Sequence, residues 1–181
     1  MSCFFLDDNN MYIHRGDITK LRIESIVNAS NVSGLGCFAN GCECIDKVIH
    51  RNAGPRLLDA CKKLRGVPTG EAKITYAYNL PSKYIIHATG PQIKNDGSKD
   101  YNLLARTYKA CLDVAKKYNI SQIAFCCIST GVFGFDKLGA CQTAIRAVKE
   151  WLQNNRYNIT IVFCVFTDED ELYYKKFLNK N

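Results

Sequence analysis

Apolar runs of strand length alternate with helical patterns along the whole chain of 181 residues, and this alternation constrains the fold most strongly. A layered α/β domain has this rhythm, because each strand is followed by a helix that packs back onto the sheet. The predicted strands are Met11–His14, Ser25–Asn28, Ala72–Tyr78, Tyr84–Thr89, Gln122–Cys127 and Ile159–Val165.

Helical periodicity fills the intervals between these strands. Apolar residues recur at spacings of three and four across residues 103–115 and 138–152, so each segment presents one buried helical face. The same period crosses residues 45–64, where Gly54-Pro55 is expected to divide two helices, because proline does not continue a helix interior. A last helix is predicted over Glu169–Leu178.

Composition is that of an ordinary globular protein, with 47% apolar and 23% charged residues. No apolar run approaches the roughly 18 residues of a membrane-spanning helix, and Met1–Phe5 is too short for the apolar part of a signal peptide. We therefore expect one domain over residues 1–181, in the cytoplasm or alternatively the nucleus, with no membrane partner. Pro91–Lys99 is predicted to be an exposed loop within that domain.

Ten cysteines and a net charge of +7 leave several functions open. A disulfide framework belongs to small secreted chains that lack a core, so free thiols or metal ligands are favoured here. The positive charge favours anionic partners such as phosphates or nucleic acid, but the basic residues are scattered along the chain. Charge alone does not identify a ligand.

Three loops after predicted strands hold clustered small and polar residues, in the position where α/β sheets usually bind ligands. In the first, residues 16–19, the Asp17 carboxylate could accept hydrogen bonds from an exocyclic amine or could cap the following turn. The second runs from Asn28 to His50 and the third covers Ser129–Phe135; each precedes a helix, so backbone amides and the helix N-terminus could bind phosphate. The two glycines of the third loop permit conformations with positive φ angles.

Taken together, these loops and their neighbours resemble the macrodomain family from residue 11 to about residue 166. The resemblance implies a three-layer α/β/α fold around a central mixed sheet, with ADP-ribose bound along its crest. The matching segments are Gly16–Thr19, Ile26–Asn31, Ile45–Pro55, Thr69–Ala72, Ile86–Pro91 and Ile128–Phe135.

The resemblance also implies a role for each loop. Adenine would be held by Asp17 and Ile18 and stacked on Phe166, although Phe166 could instead simply end a core strand. The pyrophosphate would lie between the loop near residues 31–36 and the loop of residues 129–135, with Asn28 and Asn31 close to the distal ribose. The implied ligand-binding residues are Asp17, Ile18, Asn31, Gly36, Ser129, Thr130, Gly131, Val132, Phe133 and Phe166.

The loop before Asp46 departs from the glycine run found in the common de-ADP-ribosylating macrodomains. From Gly36 it has the sequence GCFANGCECID, which is similar to the zinc-dependent branch, except that the branch has a histidine where Cys42 stands. The thiols of Cys37, Cys42 and Cys44 could hold one zinc ion with one position left open, and the following helix N-terminus is expected to lower their pKa values. By spacing alone, metal-free packing of the three cysteines is an equal alternative. The other seven cysteines are interpreted as packing residues.

Asp46 is the candidate general base or substrate-orienting carboxylate, because it begins the helix beside the proposed zinc. The alternative is an aspartate that only stabilises the first helical turn. Asn28 and Asn31 complete the candidate catalytic set. His50 is interpreted as a core histidine with satisfied hydrogen bonds, with contact to the site as the less favoured alternative, and His87, in a strand of alternating apolar residues, is interpreted as structural.

We therefore expect a monomeric, zinc-dependent hydrolase that cleaves the bond between a protein side chain and C1″ of the distal ribose. Its ligands would be ADP-ribose and mono-ADP-ribosylated proteins. The alternative is a reader that binds ADP-ribose without turnover and has no use for an open metal site or for Asp46. Nucleic-acid binding is a third and less supported hypothesis, since aromatic and basic residues are not interleaved in the sequence.

Overall fold

The computed structural model describes residues 4–5 and 10–178, which form a mixed sheet of seven strands between two layers of α-helices. The strands are β1 (Phe4–Phe5), β2 (Met11–Arg15), β3 (Ser25–Ala29), β4 (Ala72–Tyr76), β5 (Tyr84–Ala88), β6 (Gln122–Phe125) and β7 (Thr160–Val165). The helices are α1 (Ile45–Ala53), α2 (Pro55–Leu64), α3 (Tyr101–Lys117), α4 (Lys137–Asn155) and α5 (Asp168–Leu178). The predicted three-layer α/β/α architecture is confirmed.

The order of strands in the sheet is β1-β2-β7-β6-β3-β5-β4. The five inner strands run parallel to one another, and the two edge strands β1 and β4 are antiparallel to their neighbours. The carboxyl ends of the five inner strands therefore lie along one edge of the sheet.

Helices cover the two faces of the sheet with different partners. On one face, α1 and α2 pack on each other and on β3 and β4; on the other, α3, α4 and α5 pack in sequence, with α3 on β4 and β5 and α5 on β2 and β7. Aromatic rings fill the second interface: Phe125 contacts Tyr108 and Phe163, and Phe163 contacts Tyr174. These rings are almost completely buried, so they anchor the α3–α5 layer to the centre of the sheet.

Most predicted boundaries agree with the structure, and the differences have local causes. The strand predicted to reach Tyr78 ends at Tyr76, because Tyr78 adopts a left-handed conformation with φ 54°. The strand predicted to reach Cys127 ends at Phe125, where its pairing with Phe163 stops. The predicted division of residues 45–64 is confirmed.

Three further predictions concern an exposed loop, membrane-spanning helices and the state of the cysteines. Residues 91–100 form a largely exposed loop without a helix or strand, as expected. Within residues 10–178, no helix is long and apolar enough to cross a membrane. The nine cysteines of that range are free thiols, and six of them lie outside the Asp46 loop, five in buried positions and Cys127 partly covered; Cys3 lies outside the described residues.

Candidate functional site

The loops singled out from the sequence meet at the carboxyl edge of the sheet. Asp17 follows β2, Phe166 follows β7, the loop of residues 129–135 follows β6, and Asn31 follows β3. Since β2, β7, β6 and β3 are consecutive neighbours in the sheet, the four loops stand side by side although they are far apart in the chain. This edge, called the crest below, is the candidate functional site.

Asp17 caps the 3-10 turn that follows β2. Its Oδ1 accepts hydrogen bonds from Thr19 N, at 2.9 Å, and from Thr19 Oγ1, at 2.6 Å. The capping interpretation is therefore confirmed for Oδ1, and both bonds leave Oδ2 outside the cap. The side chain of Ile18 is buried, which leaves its backbone as the part of this residue that could face a ligand.

Phe166 lies at the end of the crest nearest to Asp17. The core strand ends at Val165, which is fully buried, whereas Phe166 is 76% exposed. Phe166 therefore follows directly on the core strand with its ring exposed, and its role in stacking stays a prediction. An exposed ring beside the β2 loop is available for stacking on a planar ligand.

The loop of residues 129–135 is held in place at both ends. Gly134 N donates to Gly131 O, Phe135 N donates to Ser129 O, and Ile93 N donates to Phe133 O, with distances between 2.9 and 3.0 Å. Thr130 is partly covered, while Gly131 and Val132 are exposed at the tip.

Two residues of this loop have positive φ angles. Gly134 uses φ +78°, but the second left-handed residue is Ser129, at φ 68°, and Gly131 needs no positive φ. Ser129 Oγ is buried and has no hydrogen-bond partner among residues 10–178.

Asn31 shapes the loop that follows β3. Its Oδ1 accepts hydrogen bonds from Ser33 N, at 3.0 Å, and Gly34 N, at 3.2 Å, and its Nδ2 donates to Gly36 O at 3.0 Å. The same Nδ2 lies 3.5 Å from Asp46 Oδ2. Asn31 therefore connects the loop backbone to the first turn of α1.

Asn28 and Asp46 form the buried centre of the site. Asn28 Nδ2 donates to Asp46 Oδ1 at 2.7 Å, a distance typical of a hydrogen bond to a charged acceptor. Asn28 is fully buried and Asp46 is 3% exposed. Burial raises the pKa of Asp46, while the Asn28 hydrogen bond and the nearby His50 oppose this increase.

The sulfur atoms of Cys37, Cys42 and Cys44 lie within 4.8 Å of one another. Cys44 is the N-cap of α1, so the thiols converge on the start of the helix that carries Asp46. All three residues are partly exposed, and their thiols can therefore be reached from solvent.

The expected lowering of all three thiol pKa values is only partly correct. Hydrogen bonds from the backbone and thiol of Cys44 lower the pKa of Cys42. Burial raises the pKa of Cys44 to about 12, because the cost of desolvating its thiolate exceeds the stabilisation by neighbouring donors.

Two histidines lie near Asp46, and from the sequence contact with the site was only the less favoured alternative for His50 and was not expected for His87. His50 Nε2 lies 3.6 Å from Asp46 Oδ1, and this buried nitrogen has no hydrogen-bond partner in the described part of the chain. The expectation of a fully hydrogen-bonded His50 is therefore wrong. His87 is fully buried, and its Nδ1 lies 3.2 Å from Asn28 Nδ2.

The sequence contained a signal for both histidines. His50 is four residues after Asp46, one helical turn away, and His87 pairs with Asn28 once β3 and β5 are recognised as parallel neighbours. The helical spacing could have been used directly, whereas the strand pairing needs the topology of the sheet.

Comparisons with known proteins identify close relatives of the chain. Residues 27–144 match the sequence profile of the family described as Macro domain. A protein-ADP-ribose hydrolase of Staphylococcus aureus (strain MSSA476) is 42% identical over 180 residues, which cover 96% of this chain and 68% of the relative. The human ADP-ribose glycohydrolase MACROD2 is 46% identical over 171 residues, which cover 93% of this chain and 39% of the relative.

Solved structures agree with this relationship. A crystal structure of the Trypanosoma brucei macrodomain in complex with ADP-ribose is 32% identical, with a TM-score of 0.84 over 93% of this chain and 69% of that chain. The Oceanobacillus iheyensis macrodomain with ADP is 35% identical, with a TM-score of 0.83 over 97% of this chain and 93% of that chain.

Proposed function

The chain belongs to the macro domain family, and we propose that it is a hydrolase that releases ADP-ribose from mono-ADP-ribosylated proteins. The proposal is supported by relatives named as protein-ADP-ribose hydrolase and ADP-ribose glycohydrolase, at 42% and 46% identity. It is also supported by the similarity to a macrodomain solved with ADP-ribose.

The order of the loops along the crest suggests how ADP-ribose would lie. Asp17, through Oδ2, and the Ile18 backbone would hold adenine at one end, where Phe166 offers an exposed ring. The pyrophosphate would follow, between the loop near residues 31–36 and the loop of residues 129–135, whose backbone amides are suited to anions. The distal ribose would then reach the opposite end of the crest, where Asp46 lies.

The observation that carries the proposal is a buried carboxylate at the end where the distal ribose would lie. Asp46 is 3% exposed and accepts a 2.7 Å hydrogen bond from Asn28. A reader that only binds ADP-ribose gains nothing from a desolvated carboxylate beside the ribose. A general base, by contrast, works best when its pKa is raised toward the working pH, which is the direction in which burial moves Asp46.

The proposed reaction is hydrolysis at C1″ of the distal ribose. The bond from C1″ to the protein side chain breaks, the hydroxyl group of water bonds to C1″, and the proton of that water ends on the departing side chain. Asp46 would accept this proton from the water, and the adenine and pyrophosphate contacts would hold C1″ in reach. Asn28 and Asn31 would fix the Asp46 carboxylate through the contacts that they make with its two oxygens.

We further propose that Cys37, Cys42 and Cys44 hold one zinc ion. The donor set fits, because three sulfur atoms bound to a tetrahedral zinc at about 2.3 Å lie roughly 3.8 Å apart, and these three lie within 4.8 Å of one another. Three protein ligands leave one position for a ligand oxygen, and zinc at such a position supplies a Lewis acid that lowers the pKa of a bound water to about 7. Cys42 in place of histidine keeps the ligand set within the range that zinc accepts.

The proposal is tested by measuring release of ADP-ribose from defined proteins modified through Asp or Glu esters, Ser ethers and Arg N-glycosides. We expect turnover of at least one linkage by protein purified without chelator. Binding of modified proteins without release from any linkage would instead establish the reader function. Salt-sensitive binding of nucleic acid, with no affinity for ADP-ribose, would replace both.

A further inference from the structure

A chain of buried hydrogen bonds connects Asp46 to the far edge strand of the sheet. Asn28 and His87 occupy paired positions on the parallel strands β3 and β5, and their side chains meet at 3.2 Å. His87 Nε2 in turn lies 2.9 Å from Thr75 Oγ1 on β4. Thr75, His87 and Asn28 are all buried, so this contact chain is shielded from water.

The protonation of this chain follows from its acceptors. A carboxylate only accepts hydrogen bonds, so the amide group of Asn28 must present Nδ2 to Asp46 Oδ1. The second hydrogen of the same Nδ2 then points to His87 Nδ1, which must be unprotonated to accept it. The ring proton of His87 therefore lies on Nε2, where Thr75 Oγ1 can accept it.

His87 also stays neutral. Burial lowers its pKa to about 3, with a further decrease from His50, so a second ring proton is disfavoured over the physiological range. Asn28 thus faces two acceptors, one on each amide hydrogen, and its rotation is fixed. Its Oδ1 is buried and has no hydrogen-bond partner in residues 10–178, which leaves this oxygen for a water or a ligand hydroxyl.

A metal ion explains the same residues less well. His50, Cys61 and His87 each place a potential ligand atom within 4.8 Å of the others. Both nitrogens of His87, however, already have hydrogen-bonding partners in Asn28 and Thr75. Burial, with the charge of Asp46, raises the pKa of the Cys61 thiol to about 12, so it packs as a neutral group.

We infer that His87 is a positioning residue for the proposed hydrolysis: it fixes the Asn28 amide, and through it the Asp46 carboxylate, with Thr75 selecting the required tautomer. This inference rests on the proposed function. It assigns a role to two residues outside the crest, since Thr75 lies on the edge strand β4 and His87 lies buried beside Asn28 on β5.

Two substitutions of His87 separate positioning from packing. Asparagine places a polar atom where Nδ1 stands and can accept from Asn28, whereas glutamine places its terminal atoms near Nε2 and keeps the Thr75 partner instead. Both replace the imidazole ring with an open-chain amide that fills the buried space less well, so both variants are expected to have lower thermal stability than the wild type. We expect His87→Gln to lower kcat by roughly ten- to hundredfold, because a small misplacement of catalytic groups has effects of this size.

The conservative variant should rescue this loss. We expect His87→Asn to recover much of the turnover that His87→Gln loses. Asparagine is not chosen as the more stable replacement, so this recovery would not be explained by thermal stability. KM and the Kd for ADP-ribose should change within roughly threefold in both variants, since the adenine and pyrophosphate contacts lie on other loops. Equal loss of kcat in the two variants would overturn the inference and leave only a packing role.

A milder pair keeps the test decisive if the His87 variants do not fold. Thr75→Val removes the hydroxyl that accepts from Nε2–H with little change of shape and leaves the Cys61 sulfur, 3.8 Å from Nε2, as a weaker acceptor. It should lower kcat by roughly three- to tenfold, with Thr75→Ser restoring it. Wild-type kcat in Thr75→Val would contradict the inference.

Nitrogen NMR of labelled histidine should show His87 protonated on Nε2 alone, and protonation on Nδ1 would also contradict the inference. Absence of ADP-ribose release by the wild type overturns the proposed function and the inference together, whereas the outcomes above overturn the inference alone.

Discussion

Gly36 lies against the imidazole ring of His50: a Cβ atom on residue 36 would stand 3.1 Å from His50 Cγ. Gly36 has φ +95°, and its carbonyl accepts the hydrogen bond from Asn31 Nδ2. The close approach fixes how near the loop can come to the first turn of α1. A side chain at this position would push on the residue that sits 3.6 Å from Asp46.

Gly36→Ala is expected to lower the free energy of unfolding by about 1–3 kcal/mol through backbone strain and crowding of His50, and to slow turnover. Gly41→Ala is the matched control, because Gly41 also has a positive φ, +71°, but no atom lies within 4 Å of its Cβ position. Urea unfolding and ADP-ribose release measure both effects. Equal losses in the two variants would mean that the contact with His50 has no consequence.

Asp17→Ala should weaken ADP-ribose binding by about 1.5–3 kcal/mol, the usual effect of losing a hydrogen bond to a charged group. Isothermal titration measures the change in Kd. Asp17→Asn is the control, since it retains an oxygen that can accept from Thr19 and so preserves the cap. If alanine leaves the Kd unchanged, Asp17 serves the turn only, and adenine is held elsewhere.

The purified protein should contain about one zinc ion per chain, because three thiolates suffice to hold it while leaving one position free. Cys37→Ala, Cys42→Ala and Cys44→Ala should each lose zinc and hydrolysis together, yet still fold and bind ADP-ribose. Cys127→Ala, a substitution outside the loop, should keep both. Hydrolysis at the full rate by metal-free protein would eliminate the zinc from the mechanism.

Asp46→Ala should slow hydrolysis by roughly 10²–10⁴-fold, the range for loss of a general base. Since Asp46 is not one of the three thiols, zinc content should persist, and ADP-ribose affinity should change little. Asp46→Asn separates shape from charge, because it keeps the volume of the carboxylate. Turnover by Asp46→Asn at the wild-type rate would show that the carboxylate does not accept the proton.

Acid should destabilise the fold through His87. Its pKa is about 3 in the fold against an ordinary value of 6.5, so the unfolded chain binds more protons between these values. The free energy of unfolding therefore falls as pH decreases through this window, by at most ~1.4 kcal/mol per pH unit from this group. Urea unfolding at about pH 7 and about pH 5 should show a shallower decrease for His87→Asn than for the wild type. Parallel decreases would exclude a buried neutral His87.

The architecture could be predicted from the sequence because the spacing of apolar residues indicates which face of each helix or strand is buried. These buried faces are the ones that pack between the layers of the fold. The segments over residues 101–117 and 137–155 have apolar faces that are indeed buried. The strand Phe4–Phe5 escaped prediction because two residues carry no period. The split before Pro55 followed from the chemistry of proline alone.

The candidate site could be predicted only in part from the spacing of residues in the sequence. Asp46 and the three thiols are local in sequence, so spacing predicted that they lie close together, although spacing alone left zinc binding and metal-free packing as equal alternatives. The role of His87 depends on its pairing with Asn28, 59 residues away, and on a hydrogen bond to Thr75. Such contacts are set by the register between strands, which a single sequence does not specify. The left-handed Ser129 was missed because glycine is the residue expected in that conformation.

The order of the strands also governs when the site can come into existence. β7 is the last strand of the described chain to leave the ribosome, yet it lies between β2 and β6, which are made much earlier. Until residues 160–165 emerge, β2 has no parallel neighbour to join it to the rest of the sheet, and Phe166 is not yet beside Asp17. The nascent chain could assemble the neighbourhood of Asp46, but it could not hold both ends of an elongated ligand. If ADP-ribose binds as proposed, the two ends of its site therefore come together only after residues 160–166 have been made.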